Sequence, residues 1–216
     1  MKNFAFASLI LLSPLSVLPL GCGSGSGNNV IGGSGCGVGP CGGDVVGTWN
    51  ATGLCVDKSV LMSAFVSGLM DSCSGASLAD TTSFTPSGTL TFNSDLTYDI
   101  ALTLNGSVGI NVPPSCFQGG TCAQFGAALQ DVVANDPTIQ SVACTGNCIC
   151  TFVEAPMQDA ESGSYTVSGS SLLTTPTGQT TADTTGFCVK GTTTTFTQPA
   201  MARMETGVIA IVAQKQ

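Results

Sequence analysis

The sequence predicts a mainly-β fold, built from an antiparallel meander and stapled by disulfides. Apolar and polar residues alternate with period two through residues 88–112, which is the pattern of half-buried strands. The chain has 11 cysteines in 216 residues, and only 8% of its residues are charged. A polar surface of Thr, Ser and Gly, together with many cysteines, is typical of proteins exported to an oxidising compartment.

The N-terminus has the pattern of an export signal. Lys2 is the only charged residue before an apolar run over residues 4–20, and two prolines interrupt that run. A positively charged start followed by a short apolar stretch is typical of a signal peptide rather than of a membrane-spanning helix. We therefore predict a signal peptide at residues 1–21.

The end of this segment, LPLGC at residues 18–22, resembles the lipobox of bacterial lipoproteins, with Pro19 where Leu or Val is usual. The resemblance implies cleavage before Cys22, acylation of that cysteine with lipid such as palmitate, and, through Gly23, sorting to the outer membrane. The alternative is an ordinary signal peptide that is cut nearby, with Cys22 in a disulfide.

Removing Cys22 leaves an even set of cysteines, which implies five disulfides in an exported chain. We expect pairs between neighbours in the sequence, namely Cys36 with Cys41, Cys116 with Cys122, and Cys55 with Cys73. The remaining candidates are Cys144, Cys148, Cys150 and Cys188. The close spacing of the first three of these would also fit a cysteine-only zinc site, but an oxidising compartment favours disulfides.

A Gly-rich segment at residues 22–43 predicts a flexible, lipidated tether. About twenty such residues span roughly 25 Å, enough to hold a domain away from a membrane. The segment from Cys36 to Cys41 either forms a small loop or pins the tether to the domain, which we place at residues 44–216.

The strands are predicted from alternation and from turn residues. A first strand at residues 45–54 contains Trp49, the only tryptophan. In the meander, turn chemistry at residues 93–95 and 105–107 predicts two three-residue loops. They would place Phe92 opposite Leu96 and Leu104 opposite Val108, with a positive φ at Gly106.

Two helices are expected between the strands, near residues 57–73 and 121–135. The first has apolar residues at helical spacing, and the second begins with a capping box of Thr121 and Gln124. Further strands are predicted at residues 149–154, in hairpins around Gly169 and Gly191, and at residues 207–213, which are apolar on both faces. The total is about nine strands.

The composition excludes several functions. The chain has no histidine, which removes most hydrolytic triads and zinc enzymes, and no catalytic constellation is visible, so we predict that it is not an enzyme. The balance of five basic against 13 acidic residues disfavours binding to nucleic acid.

We predict no cofactor and no metal. Asn93, Asp95 and Asp99 are interpreted as residues of a hairpin turn rather than of a calcium-binding loop. Asp159 and Glu161 are expected in a turn, without a partner carboxylate.

The motif Gly47-Thr48-Trp49 resembles the start of the first strand in lipocalin-like (calycin) barrels, and the hairpins at residues 93–98 and 163–173 are similar to those of that family. The resemblance implies that the strands close into a barrel of about 8–9 strands with Trp49 at its base. In lipocalins an arginine late in the last strand stacks on this tryptophan. Here Arg203 precedes the last strand, and Lys215 is nearer the required place. The alternative for Trp49 is the core of a β-sandwich.

These features lead to two functional hypotheses. The first is a binding protein, anchored to the outer membrane by lipid at Cys22, that holds a small apolar ligand in a barrel. Its ligand-lining candidates are Phe92, Tyr98, Ile100 and Leu102. The second is a structural or protein-interaction lipoprotein whose barrel is filled by its own side chains.

Overall fold

The computed structural model describes residues 30–31, 36–58, 61, 73, 75–117, 119–197 and 208–216. The strands are β1 Val30–Ile31, β2 Gly47–Asp57, β3 Ser77–Leu78, β4 Ser83–Phe92, β5 Thr97–Asn111, β6 Ile139–Thr145, β7 Ile149–Glu154, β8 Met157–Ser168, β9 Ser171–Pro176, β10 Asp183–Lys190, β11 Thr193–Thr197 and β12 Val208–Lys215. A 3₁₀ turn, Pro114–Phe117, precedes the helix α1, Cys122–Val133. Within these ranges no helix is long and apolar enough to cross a membrane.

Eight strands close into an antiparallel barrel. Around the barrel they follow in the order β2, β4, β5, β8, β9, β10, β11 and β12, and β12 pairs with β2 to complete the ring. Each barrel strand therefore pairs with the next one along the chain, which is an up-and-down arrangement. Closure satisfies the backbone groups that an open sheet would leave unpaired at its edges. The expectation of a closed antiparallel barrel, rather than a sandwich, is confirmed.

The two ends of the barrel differ in their connections. At one end, the tight end, the strands are joined by residues 93–96, 169–170 and 191–192. At the other, the long-loop end, the connecting segments are residues 58–82, 112–156, 177–182 and 198–207. The barrel is therefore asymmetric along its axis, with the inserted sequence collected at one end.

The longest of these connections forms a second unit, the inserted lobe, at residues 112–156. The outer part of β5, residues 107–111, extends past the barrel and pairs with β7, which pairs in turn with β6. The helix α1 packs on this small sheet, where Gln130 Nε2 donates to Val142 O at 3.2 Å. The lobe consequently has a buried apolar cluster of its own, distinct from the barrel core.

Strand β5 shows that the second predicted turn is wrong. Residues 105–107 lie inside one continuous strand, with Gly106 opposite Phe84. Every even-numbered residue from 98 to 112 is buried, so the alternation keeps its phase and needs no turn. Gly106 instead permits a close approach, because a Cβ there would lie 2.7 Å from both the Phe84 ring and Glu154 Oε2.

The first predicted turn has the expected length but is shifted by one residue. The Asn93 amide donates to Thr97 O at 2.8 Å and encloses three residues. Phe92 therefore faces Tyr98, and the predicted pairing of Phe92 with Leu96 is wrong. Leu96 takes the left-handed position that such a loop requires, with φ 66°, and is 50% exposed.

The ten cysteines expected in disulfides form five pairs, but all three predicted pairings are wrong. The pairs are Cys36–Cys55, Cys41–Cys188, Cys73–Cys116, Cys122–Cys148 and Cys144–Cys150. Sequence separations reach 147 residues, because barrel closure brings the segment before β2 against β10. Proximity in the sequence therefore does not decide which cysteines meet.

The end of the Gly-rich segment is pinned to the outside of the barrel. The amides of Cys41 and Gly42 donate to Phe187 O at 3.0 and 2.9 Å, and β1 pairs with the end of β2. Cys36 packs against the outward residues Ala210 and Val212 of β12. This covering explains why β12 is apolar on both faces, as the sequence predicted.

The remaining predictions have mixed outcomes. The helix α1 is confirmed with its capping box, and β7 and the hairpins around Gly169 and Gly191 lie where expected. Of the helix expected near 57–73, most residues lie outside the described ranges, as does Arg203. Strand β6 was not predicted, and β4 begins at Ser83, five residues before the predicted start of the meander at residue 88.

Candidate functional site

The four residues predicted to line a ligand all lie on the inner face of the barrel. Phe92, Tyr98, Ile100 and Leu102 are 1%, 1%, 7% and 4% exposed. The Phe92 ring centroid lies 5.3 Å from that of Tyr165 and 5.5 Å from that of Phe196. Aromatic side chains thus pack against one another near the tight end, and there the barrel is filled by its own residues.

Trp49 closes the tight end. It is fully buried, and its indole Nε1 donates to Val45 O at 2.7 Å. Lys215 is its direct neighbour on β12 and places Nζ 5.2 Å from the centroid of the indole ring. A cation at this distance from an indole face is attracted by the ring quadrupole. Gly47 leaves room for the lysine stem, since a Cβ there would lie 2.8 Å from Lys215 Cε.

Strand β8 brings two carboxylates to the inner face, so the predicted turn at Asp159 and Glu161 is wrong. Asp159 lies opposite Leu102, and Glu161 lies opposite Ile100. Directly opposed residues share a face of the sheet, so both carboxylates point inward. Both are half-buried, although the residues opposite them on β5 are buried. Solvent therefore reaches the inner wall of the barrel along β8.

Glu161 forms a hydrogen bond with the phenol of Tyr98, whose OH donates to Oε1 at 2.5 Å. Burial is the first cause that raises the pKa of Tyr98. The hydrogen bond to Glu161 and the negative charges of Glu161, Asp183 and Asp159 raise it further. Three carboxylates from two strands thus act on the ionisation of one phenol.

Asp183, the exposed first residue of β10, is the third carboxylate of this group. It lies opposite Thr174, which in turn lies opposite Tyr165. Thr174 is 1% exposed, and its hydroxyl Oγ1 has no hydrogen-bond partner. We call the three carboxylates Asp159, Glu161 and Asp183 the acidic cluster. In the described part of the chain, no lysine or arginine forms an ion pair with the cluster.

The positions of the aromatic residues in β8 and β10 predict this cluster, although apolar periodicity does not. Odd-numbered residues of β8 and β10 face inward, including Tyr165 on the first and Phe187 on the second. Counting back in twos from these aromatic residues reaches Glu161, Asp159 and Asp183. The inward carboxylates interrupt the apolar alternation. The first residues of both strands therefore have the sequence pattern of polar loops.

A further buried carboxylate lies where the barrel meets the inserted lobe. Glu154 is 8% exposed, its Oε2 has no hydrogen-bond partner, and burial raises its pKa. A separate shallow depression of about 290 Å³ lies between α1 and β6 and includes Gln130 and Val142. Among the described residues, no group of three or more acidic or cysteine side chains is arranged to hold a metal ion.

No protein-family model matches the chain, and no curated protein or solved structure matches it. The geometry by itself defines the class: a closed, antiparallel, eight-stranded β-barrel with an inserted disulfide-rich lobe and an acidic cluster, of which Asp159 and Glu161 are half-buried and Asp183 is exposed.

Proposed function

We propose that the chain is an exported, lipid-anchored binding protein that takes a small ligand into its barrel. The observation that carries this proposal is the half-buried inner face of β8, where Asp159 and Glu161 remain in contact with solvent. A barrel that served only as a scaffold would be expected to fill this space with apolar side chains. The long-loop end, where β8 and β10 begin, is the natural entrance.

The class that fits best is a lipocalin-like barrel. Three features support it: the up-and-down order of eight strands, Trp49 near the start of the first barrel strand, and a cation from the last strand over the indole ring. In lipocalins an arginine stacks on this tryptophan, and in this chain Lys215 would supply that cation instead. Barrels of eight strands have an interior wide enough to hold one small ligand.

Export and anchoring are proposed on the cysteines. The five disulfides use ten of the 11 cysteines, which leaves Cys22 as the residue available for acylation. Five disulfides fit an oxidising compartment. A lipid at Cys22 would tether the barrel to the outer membrane through the Gly-rich segment.

Mass spectrometry of protein extracted from membranes tests the anchor. We expect a mature chain that begins at Cys22, with an added acyl mass and a further loss of ten hydrogens for five disulfides. Cys22→Ser should be recovered from the soluble fraction without the acyl mass. A wild-type protein that is soluble and not acylated would overturn the anchor.

Native mass spectrometry tests binding in the barrel. Met157→Trp would place a large side chain on the inner face of β8, while Gln158→Trp places it on the outer face of the same strand. We expect a ligand retained by the wild type and by the Gln158 variant, and lost from the Met157 variant. If all three proteins are empty, the filled-barrel alternative, which the aromatic packing around Phe92 favours, replaces this proposal.

A further inference from the structure

We infer that the barrel's ligand is a small organic cation, with its ammonium group held by the acidic cluster of Asp159, Glu161 and Asp183 and its apolar body against the aromatic core. This inference rests on the proposed binding function and adds the chemical class of the ligand to it.

The first argument is the unbalanced charge inside the barrel. Asp159 and Glu161 are two residues apart on one strand and face the same way, about 7 Å apart along β8. Carboxylates that are partly withdrawn from water lose hydration and repel each other. A nearby cation offsets both costs. In the described part of the chain, Lys190 and Lys215 lie at the tight end, away from the cluster, and Lys58, which follows β2 at the long-loop end, forms no ion pair with it.

The hydroxyl of Thr174 has no hydrogen-bond partner. The side chain lies on the inner face, directly opposite Asp183, and only 1% of the residue is exposed. A buried hydroxyl without a hydrogen-bond partner costs about 1–3 kcal/mol. An N–H group beside Asp183 would supply the donor that Oγ1 lacks. The carboxylates and the hydroxyl would therefore both be satisfied by a ligand that carries an ammonium group.

An organic cation fits this site better than a metal ion. Calcium needs six to eight oxygens at about 2.3–2.6 Å, and no described group of three acidic side chains is arranged to hold a metal. Carboxylates spread along β8 and across to β10 suit a larger, softer cation. The rings of Tyr98, Tyr165 and Phe92 lie beside the cluster but are buried against one another, so the apolar body of the ligand has to displace part of this packing to reach ring faces that attract ammonium groups.

The test uses the full mature protein and isothermal titration with three probes of similar size: 2-phenylethylammonium, neutral 2-phenylethanol and anionic 3-phenylpropionate. We expect the ammonium probe to bind at least tenfold more tightly than the alcohol, and the anion to bind weakest. Glu161→Gln keeps an acceptor for the Tyr98 hydroxyl while removing the charge, and together with Asp183→Asn it should weaken the ammonium probe at least tenfold.

The matched control is Asp99→Asn, which removes the same charge from an exposed, outward residue of β5 and should leave binding unchanged. Trp49 emission reports whether each variant keeps its barrel. Equal binding of the alcohol, or no effect of the Glu161 and Asp183 changes, would overturn the charge inference and leave a barrel ligand standing. The same holds if native mass spectrometry identifies a retained neutral or anionic ligand.

Two other outcomes also count against the inference. Saturable binding of calcium chloride that is lost in the Glu161 variant would assign the cluster to a metal ion instead. If no probe binds and native mass spectrometry shows an empty barrel, both the ligand class and the proposed binding function fail together.

Discussion

The barrel and the inserted lobe are held together by different means. The barrel core is a continuous apolar cluster that includes Trp49, Phe92 and Phe196 and contains no cysteine. In the apolar cluster of the lobe, which also takes in Cys73 and residues of β5, four of the eleven buried residues are half-cystines: Cys73, Cys116, Cys148 and Cys150. A small unit buries too little apolar surface to be stable alone, and disulfides replace the missing core. The closed barrel does not need them in its interior.

The two disulfides of the barrel have a different task from the three of the lobe. Cys36–Cys55 and Cys41–Cys188 fasten the segment before β2 to the outer surface. Cys41–Cys188 restricts the unfolded chain over 147 residues, whereas the bridges of the lobe close loops of 6 to 43 residues around a local core. Stability measurements can separate the two roles, because the only tryptophan and both tyrosines belong to the barrel.

The largest effect is expected from the barrel disulfide with the longest loop. Replacing Cys41 and Cys188 with serine should lower the free energy of unfolding by about 4 kcal/mol, because that bridge spans 147 residues. Removing Cys144–Cys150, which spans 6 residues, should cost about 2 kcal/mol. Urea unfolding followed by Trp49 fluorescence measures the first loss directly.

Amide hydrogen exchange completes that comparison. Loss of Cys144–Cys150 should speed exchange in β6 and β7 while the barrel strands stay protected. If the short-loop variant lost more barrel stability than the long-loop variant, the barrel would depend on the lobe, and the proposed difference between the two regions would be wrong.

The contact between barrel and lobe is tested at Gly106. Alanine there would press on the Phe84 ring and on Glu154 Oε2, each 2.7 Å from the new Cβ. We expect a loss of about 1–3 kcal/mol in thermal or urea unfolding, as for other overpacked sites. Gly53→Ala is the control, because its Cβ would meet Val212 at an ordinary 3.5 Å. Similar stability for both variants would show that the junction yields easily.

Glu154 at the same junction predicts a dependence on pH. Burial raises the pKa of this carboxyl in the folded protein above its unfolded value of about 4.3. The folded state therefore binds the proton more tightly, so the contribution to stability is fully present below that pH and is lost as pH rises through the folded pKa. The free energy of unfolding of Glu154→Gln should exceed that of the wild type by about 1 kcal/mol at pH 7 and should equal it at pH 4.

The measurement for this prediction is the difference in unfolding free energy between variant and wild type at each pH, so that other titrating groups cancel. Asp99→Asn, at an exposed position, serves as the control and should show no such trend. A difference between Glu154→Gln and the wild type that does not change with pH would mean that Glu154 is not buried in its charged form.

The smallest effect is expected at the tight end. Leu96 adopts φ 66°, a conformation that costs a side-chain-bearing residue about 1–2 kcal/mol. Leu96→Gly should therefore raise the free energy of unfolding by about 0.5–1 kcal/mol, even after the added freedom of the unfolded chain is counted. Val167→Gly, another exposed apolar position but with an extended backbone, should instead be destabilising. A destabilised Leu96 variant would mean that its side chain contributes packing.

Features that depend on nearby residues could be predicted from the sequence. The capping box of Thr121 and Gln124 predicted α1, and Gly169 and Gly191, with φ 62° and 61°, predicted two hairpins. The same local reasoning failed at residues 105–107, where turn-forming residues lie in the middle of β5. There the unbroken alternation was the stronger evidence, because pairing with β4 and β7 outweighs local turn preference.

The candidate site could be predicted only in part. The inward positions of Phe92, Tyr98, Ile100 and Leu102 followed from alternation. The acidic cluster did not, because a carboxylate on the inner wall of a barrel contradicts the apolar pattern by which strands are recognised. Such local contradictions are expected at functional sites, which is one reason that the cluster is the centre of the proposal.

The sequence by itself determined where most of the strands lie, which face of those strands is apolar, and that ten cysteines pair, since alternation and composition are properties of neighbouring residues. Only the tertiary structure decided that the strands close into a ring, that Cys41 meets Cys188, and that Asp159 and Glu161 act on the same phenol as Asp183. Those facts depend on contacts between residues far apart in the chain, and these contacts form when burial of the whole barrel core outweighs the entropy of closing long loops.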